Sequence, residues 1–239
     1  TRCSRDWSSD VCSSDLLKRV HLGLGGKAPV VVFDDADINA VIEGIRLSGF
    51  YNSGQDCTAA CRIIAQDRLY DDLVDGLRTS IGNLPCGDPF DENMEIGPII
   101  SQHHQERIAG MVSRATSNSA EALVGGNARS GAGNYFEPSL LIGVEKAEEI
   151  VQREVFGPMV TVQKCKDEAE AIQMANAVEY GLAASVWTKD VGKAMRASRD
   201  LNFGTVWVND HLHLVSEMPH GGFKKSGYGK DMSIYAIEH

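Results

Sequence analysis

The sequence lacks what a membrane protein, a disulfide-framed protein or a nucleic-acid binder would carry. No stretch approaches the ~18 consecutive apolar residues that a membrane-crossing helix needs. None has the basic start, apolar middle and small-residue end of a secretory leader. Basic residues are in deficit: 23 Lys and Arg against 33 Asp and Glu leave a formal net charge of -10. Such a surface repels phosphate backbones, so neither nucleic acid nor membrane is an expected partner. The six cysteines, at 3, 12, 57, 61, 86 and 165, form no zinc-type CxxC pairs, and 239 residues need no disulfide frame. The expectation is a cytoplasmic protein with free thiols and no metal. What is present is ordinary globular composition, 43% hydrophobic and 23% charged, enough for one large α/β domain or one domain with pieces of another.

Residues 1–16 (TRCSRDWSSDVCSSDL) are rich in Ser, Asp, Arg and Cys and have no lasting period. They read as a non-native segment akin to translated sequencing-adaptor read-through; a disordered terminus is the alternative. Beyond them the chain alternates strand and helix signals. Ala28–Phe33 is a short apolar run suited to a buried strand. Asp35–Asp37 offer N-caps to a helix carrying Ile38, Val41, Ile42 and Ile45, which should run into Phe50 and stop at Asn52-Ser53-Gly54. Arg62–Gln66 reads as a strand, and Tyr70, Leu73, Val74, Leu77 and Ile81 mark an amphipathic helix. Ser101 can cap another, with Ile108, Met111 and Val112 on its inner face, while His103 and His104 read as solvated.

Met159–Lys164 alternates apolar and polar residues as a strand can. Asp167 and Glu170 resemble a capping box, with Gly181 placed for the helix stop. A strand over Ala183–Thr188, a helix over Asp190–Leu201 and a strand over Thr205–Asn209 follow. Strands separated by helices of this length predict an α/β fold, a largely parallel sheet flanked by helices, with active groups on loops at the strand ends.

The segment Asn52-Ser53-Gly54-Gln55-Asp56-Cys57-Thr58 puts a cysteine just past a helix end in a glycine-containing turn. Neighbouring N–H groups in such a turn can stabilise a thiolate and the oxyanion formed when it attacks. Taken alone, the string fits an inert buried cysteine equally well.

Four stretches carry a resemblance. Leu22–Pro29 (LGLGGKAP), Tyr51–Arg62 (YNSGQDCTAACR), Glu154–Pro158 (EVFGP) and Pro219–Gly229 (PHGGFKKSGYG) resemble aldehyde dehydrogenase motifs in order and separation. The similarity runs from residue 17 to the end, and it implies an NAD-dependent enzyme, with NADP as the alternative oxidant. By that resemblance Cys57 is the nucleophile, adding to the aldehyde to give a thiohemiacetal and then a thioester that water releases as the acid. Glu154 matches the carboxylate that binds the nicotinamide ribose, against a bland reading as a surface salt bridge. Phe156 matches the aromatic beside the nicotinamide ring. Gly25 and Gly26 match the double glycine, and Gly221, Gly222 and Lys224 match a loop that closes the active-site wall. Asn209 matches a polar strand end lining the cleft, or serves only to stabilise a turn.

The chain departs from the family in two ways. Where the family carries its general base, a glutamate, this chain has Gly23, as a real replacement or a sequence error. In addition, the resemblance implies truncation at both ends: a remnant of the NAD-binding domain over 17–25, the catalytic domain over 26–225 and an incomplete C-terminal segment over 226–239. Such a piece is expected to be inactive alone, and its full-length parent to be a homo-oligomer.

The strings GQDCTAACR and VSEMPHGG resemble γ-aminobutyraldehyde dehydrogenases, so Asp56 and Glu217 are candidate partners for the cationic tail of an ω-aminoaldehyde such as 4-aminobutanal; either acid could instead serve structure. A second reading makes Cys57 a cysteine esterase or acyltransferase with His211, His213 or His220, and a third makes the chain a non-catalytic fragment. Cys61 is expected to be a small core residue.

Overall fold

A computed structural model describes residues 21–238; the non-native reading of 1–16 and the start of the 17–25 remnant lie outside the described residues. In chain order the strands are β1 (Leu22–Gly23), β2 (Pro29–Val32), β3 (Arg62–Gln66), β4 (Glu121–Val124), β5 (Ser139–Ile142), β6 (Met159–Cys165), β7 (Tyr180–Gly181), β8 (Ala183–Trp187), β9 (Thr205–Val208), β10 (Phe223–Lys224) and β11 (Gly227–Tyr228). The helices before the last turn are α1 (Ile38–Phe50), α2 (Asp67–Gly82), α3 (Gln102–Asn118), the short α4 (Glu149–Gln152), α5 (Glu168–Asn176) and α6 (Val191–Asp200). Seven strands form one sheet in the order β4-β5-β6-β3-β2-β8-β9. Every neighbouring pair is parallel except β4 and β5, so the expected largely parallel α/β sheet is what the chain forms.

Alternate residues of β2 and β3 explain the layering. Val30, Val32, Ile63 and Ala65 pack against α1 and α2, whereas Val31 and Ile64 face Ala171, Met174 and Ala197 of α5 and α6. Asp37 caps α1 and Ser101 caps α3, as their sequence positions predict. In β6, Thr161 and Gln163 are buried along with its apolar residues, because a central parallel strand is covered on both faces. One expectation fails: α5 stops at Asn176, while Gly181 belongs to β7, paired with Phe223 of β10.

The segments before β2, β3 and β6 converge at the amino ends of these strands. Gly25-Gly26-Lys27 precedes β2, Cys57 precedes β3 and Glu154-Val155-Phe156 precedes β6. The β1–β11 ribbon lies alongside, pairing Gly23 with Gly227.

Candidate active site

Three consecutive residues after α1 occupy the left-handed region: Asn52 (φ 48), Ser53 (φ 59) and Gly54 (φ 68). Two of them carry side chains, and that conformation costs free energy unless surrounding bonds enforce it. Ser53 Oγ donates to the Gly97 carbonyl at 3.0 Å and Asn52 Nδ2 to the Gln55 carbonyl at 3.0 Å. Gly54 presses on the Glu154 loop so closely that a Cβ there would stand 2.1 Å from the Gly157 oxygen.

This turn presents Cys57 as an exposed, free thiol. Asp56 Oδ1 accepts from the Thr58 N–H at 2.7 Å and from the Thr58 hydroxyl at 2.6 Å, which closes the backbone around the cysteine. Burial of the thiol's surroundings pushes its pKa above the ordinary value, and the carboxylates of Asp56 and Glu154 push the same way. The N–H groups of Cys57 and Thr58 oppose them.

Gly25 and Gly26 form a wedge between that turn and Glu154. A Cβ on Gly26 would stand 2.2 Å from the Cys57 carbonyl oxygen, and one on Gly25 would stand 2.2 Å from Glu154 Oε2. The Gly26 N–H donates to Glu154 Oε1 at 2.8 Å. Only glycines let both groups approach a single backbone segment this closely. Burial raises the pKa of the Glu154 carboxyl, opposed by the Gly26 N–H and the cations Lys27 and Arg107. Lys27 is buried, and desolvation pulls its pKa down.

The main chain of the Glu154 loop is gripped by α3. Arg107 donates to the Glu154 and Val155 carbonyls at 2.6 and 2.9 Å, and His104 Nε2 meets the Phe156 carbonyl at 2.7 Å. Phe156 itself has φ 57, and the His104 ring stands edge-on to it at 6.1 Å. His104 is therefore not the solvated residue its sequence position suggests; its neighbour His103 is exposed. The grip went unread because it joins segments about fifty residues apart. Ser226 was missed for the same reason: its buried hydroxyl donates to the Gly25 carbonyl at 2.7 Å and accepts from the Gly181 N–H at 3.0 Å. Lys224 Nζ lies on the Asn176 and Val178 carbonyls, 3.2 Å from each, which anchors the glycine-lysine loop at the end of α5. Gly221 packs against Gly204 and Gly222 against Ser226.

The remaining candidates do not join the cluster through hydrogen bonds. Asn209 sits beyond the carboxyl end of β9, with φ 52 and both amide atoms on the Thr188 backbone at 2.9 Å. Glu217 is exposed, and its carboxylate accepts from Ser216 Oγ at 3.3 Å. Gly23 is exposed and has no atom within 4 Å of where a Cβ would stand. Cys61 is half-buried with Sγ toward the Ala28 carbonyl.

The histidines of the esterase reading are committed elsewhere. His213 lies on Asp210 at 2.7 Å and His220 on Thr205 Oγ1 at 3.0 Å. His211 is buried between Ser185 Oγ at 2.8 Å and the Thr58 carbonyl at 2.7 Å, which leaves no ring nitrogen to take a proton from Cys57. Among the described residues no three His, Cys, Asp or Glu side chains group to hold a metal, and no helix is long and apolar enough to cross a membrane.

Known proteins carry the same architecture. An aldehyde dehydrogenase of Emericella nidulans is 41% identical over 223 residues, 93% of this chain and 45% of that protein. The NADP(+) succinate-semialdehyde dehydrogenase GabD of Escherichia coli is 37% identical over 227 residues, 95% of this chain and 47% of its own length. The crystal structure of betaine aldehyde dehydrogenase from Staphylococcus aureus in complex with NAD+ superposes with a TM-score of 0.92 at 36% identity, over 95% of this chain and 46% of that one. This chain thus spans about half the length of the curated relatives it matches. Two of those relatives carry different aldehydes in their names, so what they share with this chain is the family rather than a substrate. The family model of the Aldehyde dehydrogenase family matches residues 5–239, and the chain belongs to that family.

Proposed function

We propose that the protein containing this chain oxidises an aldehyde to its acid with NAD as oxidant, and that Cys57 is the nucleophile. One observation carries the reading: the Gly25–Gly26 wedge has the Cys57 carbonyl against one glycine and the Glu154 carboxylate against the other. The Cys57 thiolate adds to the carbonyl carbon, and the Cys57 N–H, which already opposes the rise in the thiol's pKa, is at hand for developing negative charge. Glu154 fits a ribose diol: Oε1 is committed to Gly26, and Oε2 has no protein donor among the described residues. Phe156 follows on the same gripped loop, where its ring can flank the nicotinamide. What bound NAD supplies is the hydride acceptor that converts the thiohemiacetal on Cys57 into a thioester. Water then releases the acid and restores the thiol. The domain reading follows: residues 26–225 hold the whole sheet from β2 to β9 as the catalytic domain, 17–25 are a remnant of the NAD-binding domain, and 226–239 begin a C-terminal segment. The four free thiols among the described residues suit a reducing compartment.

The nucleophile is testable without cofactor. Mixed with p-nitrophenyl acetate, the chain is expected to release a stoichiometric burst of p-nitrophenol as Cys57 becomes acylated, and Cys57→Ala to abolish it. A burst that survives the substitution would refute the assignment.

For the substrate we propose an ω-aminoaldehyde such as 4-aminobutanal. Asp56 supports it: the residue is half-buried beside Cys57, and its Thr58 bonds use only Oδ1, which leaves Oδ2 free for an ammonium tail. Glu217 is exposed on the loop that follows β9, where it can add a second negative charge at the entrance. In the full-length parent, kcat/KM for 4-aminobutanal should exceed that for butanal by ~10-fold or more, a charge-assisted contact being worth about 1.5–3 kcal/mol. Equal values would remove the cation-tail proposal and leave the dehydrogenase reading standing.

A further inference from the structure

His211 is committed on every side. Its ring is 3% exposed and tilts against Trp207 with centroids 4.7 Å apart. The Thr58 carbonyl can only accept, so the bond at Nε2 fixes the proton on that nitrogen. Nδ1 is then the acceptor, and it takes the Ser185 hydroxyl, whose oxygen accepts from Trp187 Nε1 at 3.2 Å. A directed chain therefore runs from Trp187 through Ser185 and His211 into Thr58, the residue after the nucleophile. Burial keeps the imidazole neutral, with a pKa drawn down to about 4. The other bonds of the Cys57 turn are local or run to the Gly97–Ile100 segment. Among the described residues, the His211 bond is the one that ties it to the β8–β9 side of the sheet.

We infer that His211 is a positioning residue for Cys57: through the Thr58 carbonyl it holds the residue that follows the nucleophile and whose N–H and hydroxyl close on Asp56. The inference rests on Cys57 being the nucleophile, but its test needs neither aldehyde nor cofactor, so a failed dehydrogenase assay leaves it untouched. The readout is the rate of Cys57 alkylation by iodoacetamide against pH, with Asp56 and Glu154 as the charged groups around the thiol and Asp210 beside the imidazole. Cys165 is an internal control, since it is buried with its pKa pushed up to about 12 and reacts only when the chain opens.

His211→Phe keeps an aromatic ring against Trp207 but loses both bonds. We expect Cys57 to react roughly 2- to 10-fold more slowly below its midpoint, the equivalent of one hydrogen bond, with the midpoint moved up and Cys165 still silent. His211→Gln can set an amide N–H where Nε2 was and should recover most of the rate. A His211→Phe profile like that of the parent overturns the proposal, and so does slowing that glutamine fails to reverse. If His211→Phe does not fold, Ser185→Ala decides: it keeps the ring and removes the hydroxyl that fixes it, so a slowed Cys57 supports the role and an unchanged one overturns it.

Discussion

Replacing Gly23 with glutamate is expected to speed loss of an acyl group from Cys57 by ~10²–10⁴-fold, the usual contribution of a placed general base. The site accepts the change. Gly23 is exposed, its φ is not in the left-handed region, and no atom lies within 4 Å of a Cβ built there. Pairing with Gly227 places it in a short strand, where a side chain is readily accommodated. Gly23 lies two residues before Gly25, whose own Cβ direction runs into the Glu154 carboxylate. As the chain stands, nothing at 23 can draw a proton from water, so the acyl group should persist after the p-nitrophenyl acetate burst. In Gly23→Glu the burst should keep its size while the steady rate behind it climbs. An unchanged steady rate with an intact burst would mean that no base is missing.

Much of this arrangement is legible in the sequence, and the reason is periodicity. β2, β3, α1 and α2 follow from runs and spacings that burial imposes on the sequence. β4 and β5 left no such trace: each is four residues long, joined through a bulged antiparallel pairing. The ribbons β1–β11 and β7–β10 have two-residue strands, too short for any period. Thr161 and Gln163 show that a polar residue can sit in a doubly covered strand when its hydrogen bonds are met. Gln163 is buried because its side chain accepts from Arg62 Nε at 3.1 Å and donates to the Val144 carbonyl at 3.2 Å. The motifs located Cys57, Glu154 and the double glycine, but not what holds them. Arg107, His104, Ser226 and His211 act across 47 to 201 residues of chain, and a single sequence carries no sign of such pairings.

The double glycine also yields a test that separates the two sides of the site. In Gly26→Ala the new methyl would meet the Cys57 carbonyl oxygen at 2.2 Å and Leu182 Cβ at 3.4 Å. The first obstacle is backbone and cannot rotate away, so the nucleophile turn must move by about 1 Å, a displacement that typically costs ~10²-fold in rate. Overpacking of this kind also costs about 1–3 kcal/mol, which in a chain of this size lowers Tm by roughly 2–12 °C. In Gly25→Ala the methyl meets the tip of the Glu154 side chain at 2.2–2.8 Å, and that carboxylate can swing aside. The burst at Cys57 should therefore survive in Gly25→Ala and slow ~10²-fold in Gly26→Ala. In the full-length parent, Gly25→Ala should instead weaken NAD binding, because the displaced carboxylate is the one proposed to take the ribose. Equal bursts from the two variants would mean that the wedge does not set the position of Cys57, and the central geometric argument for the site would fail.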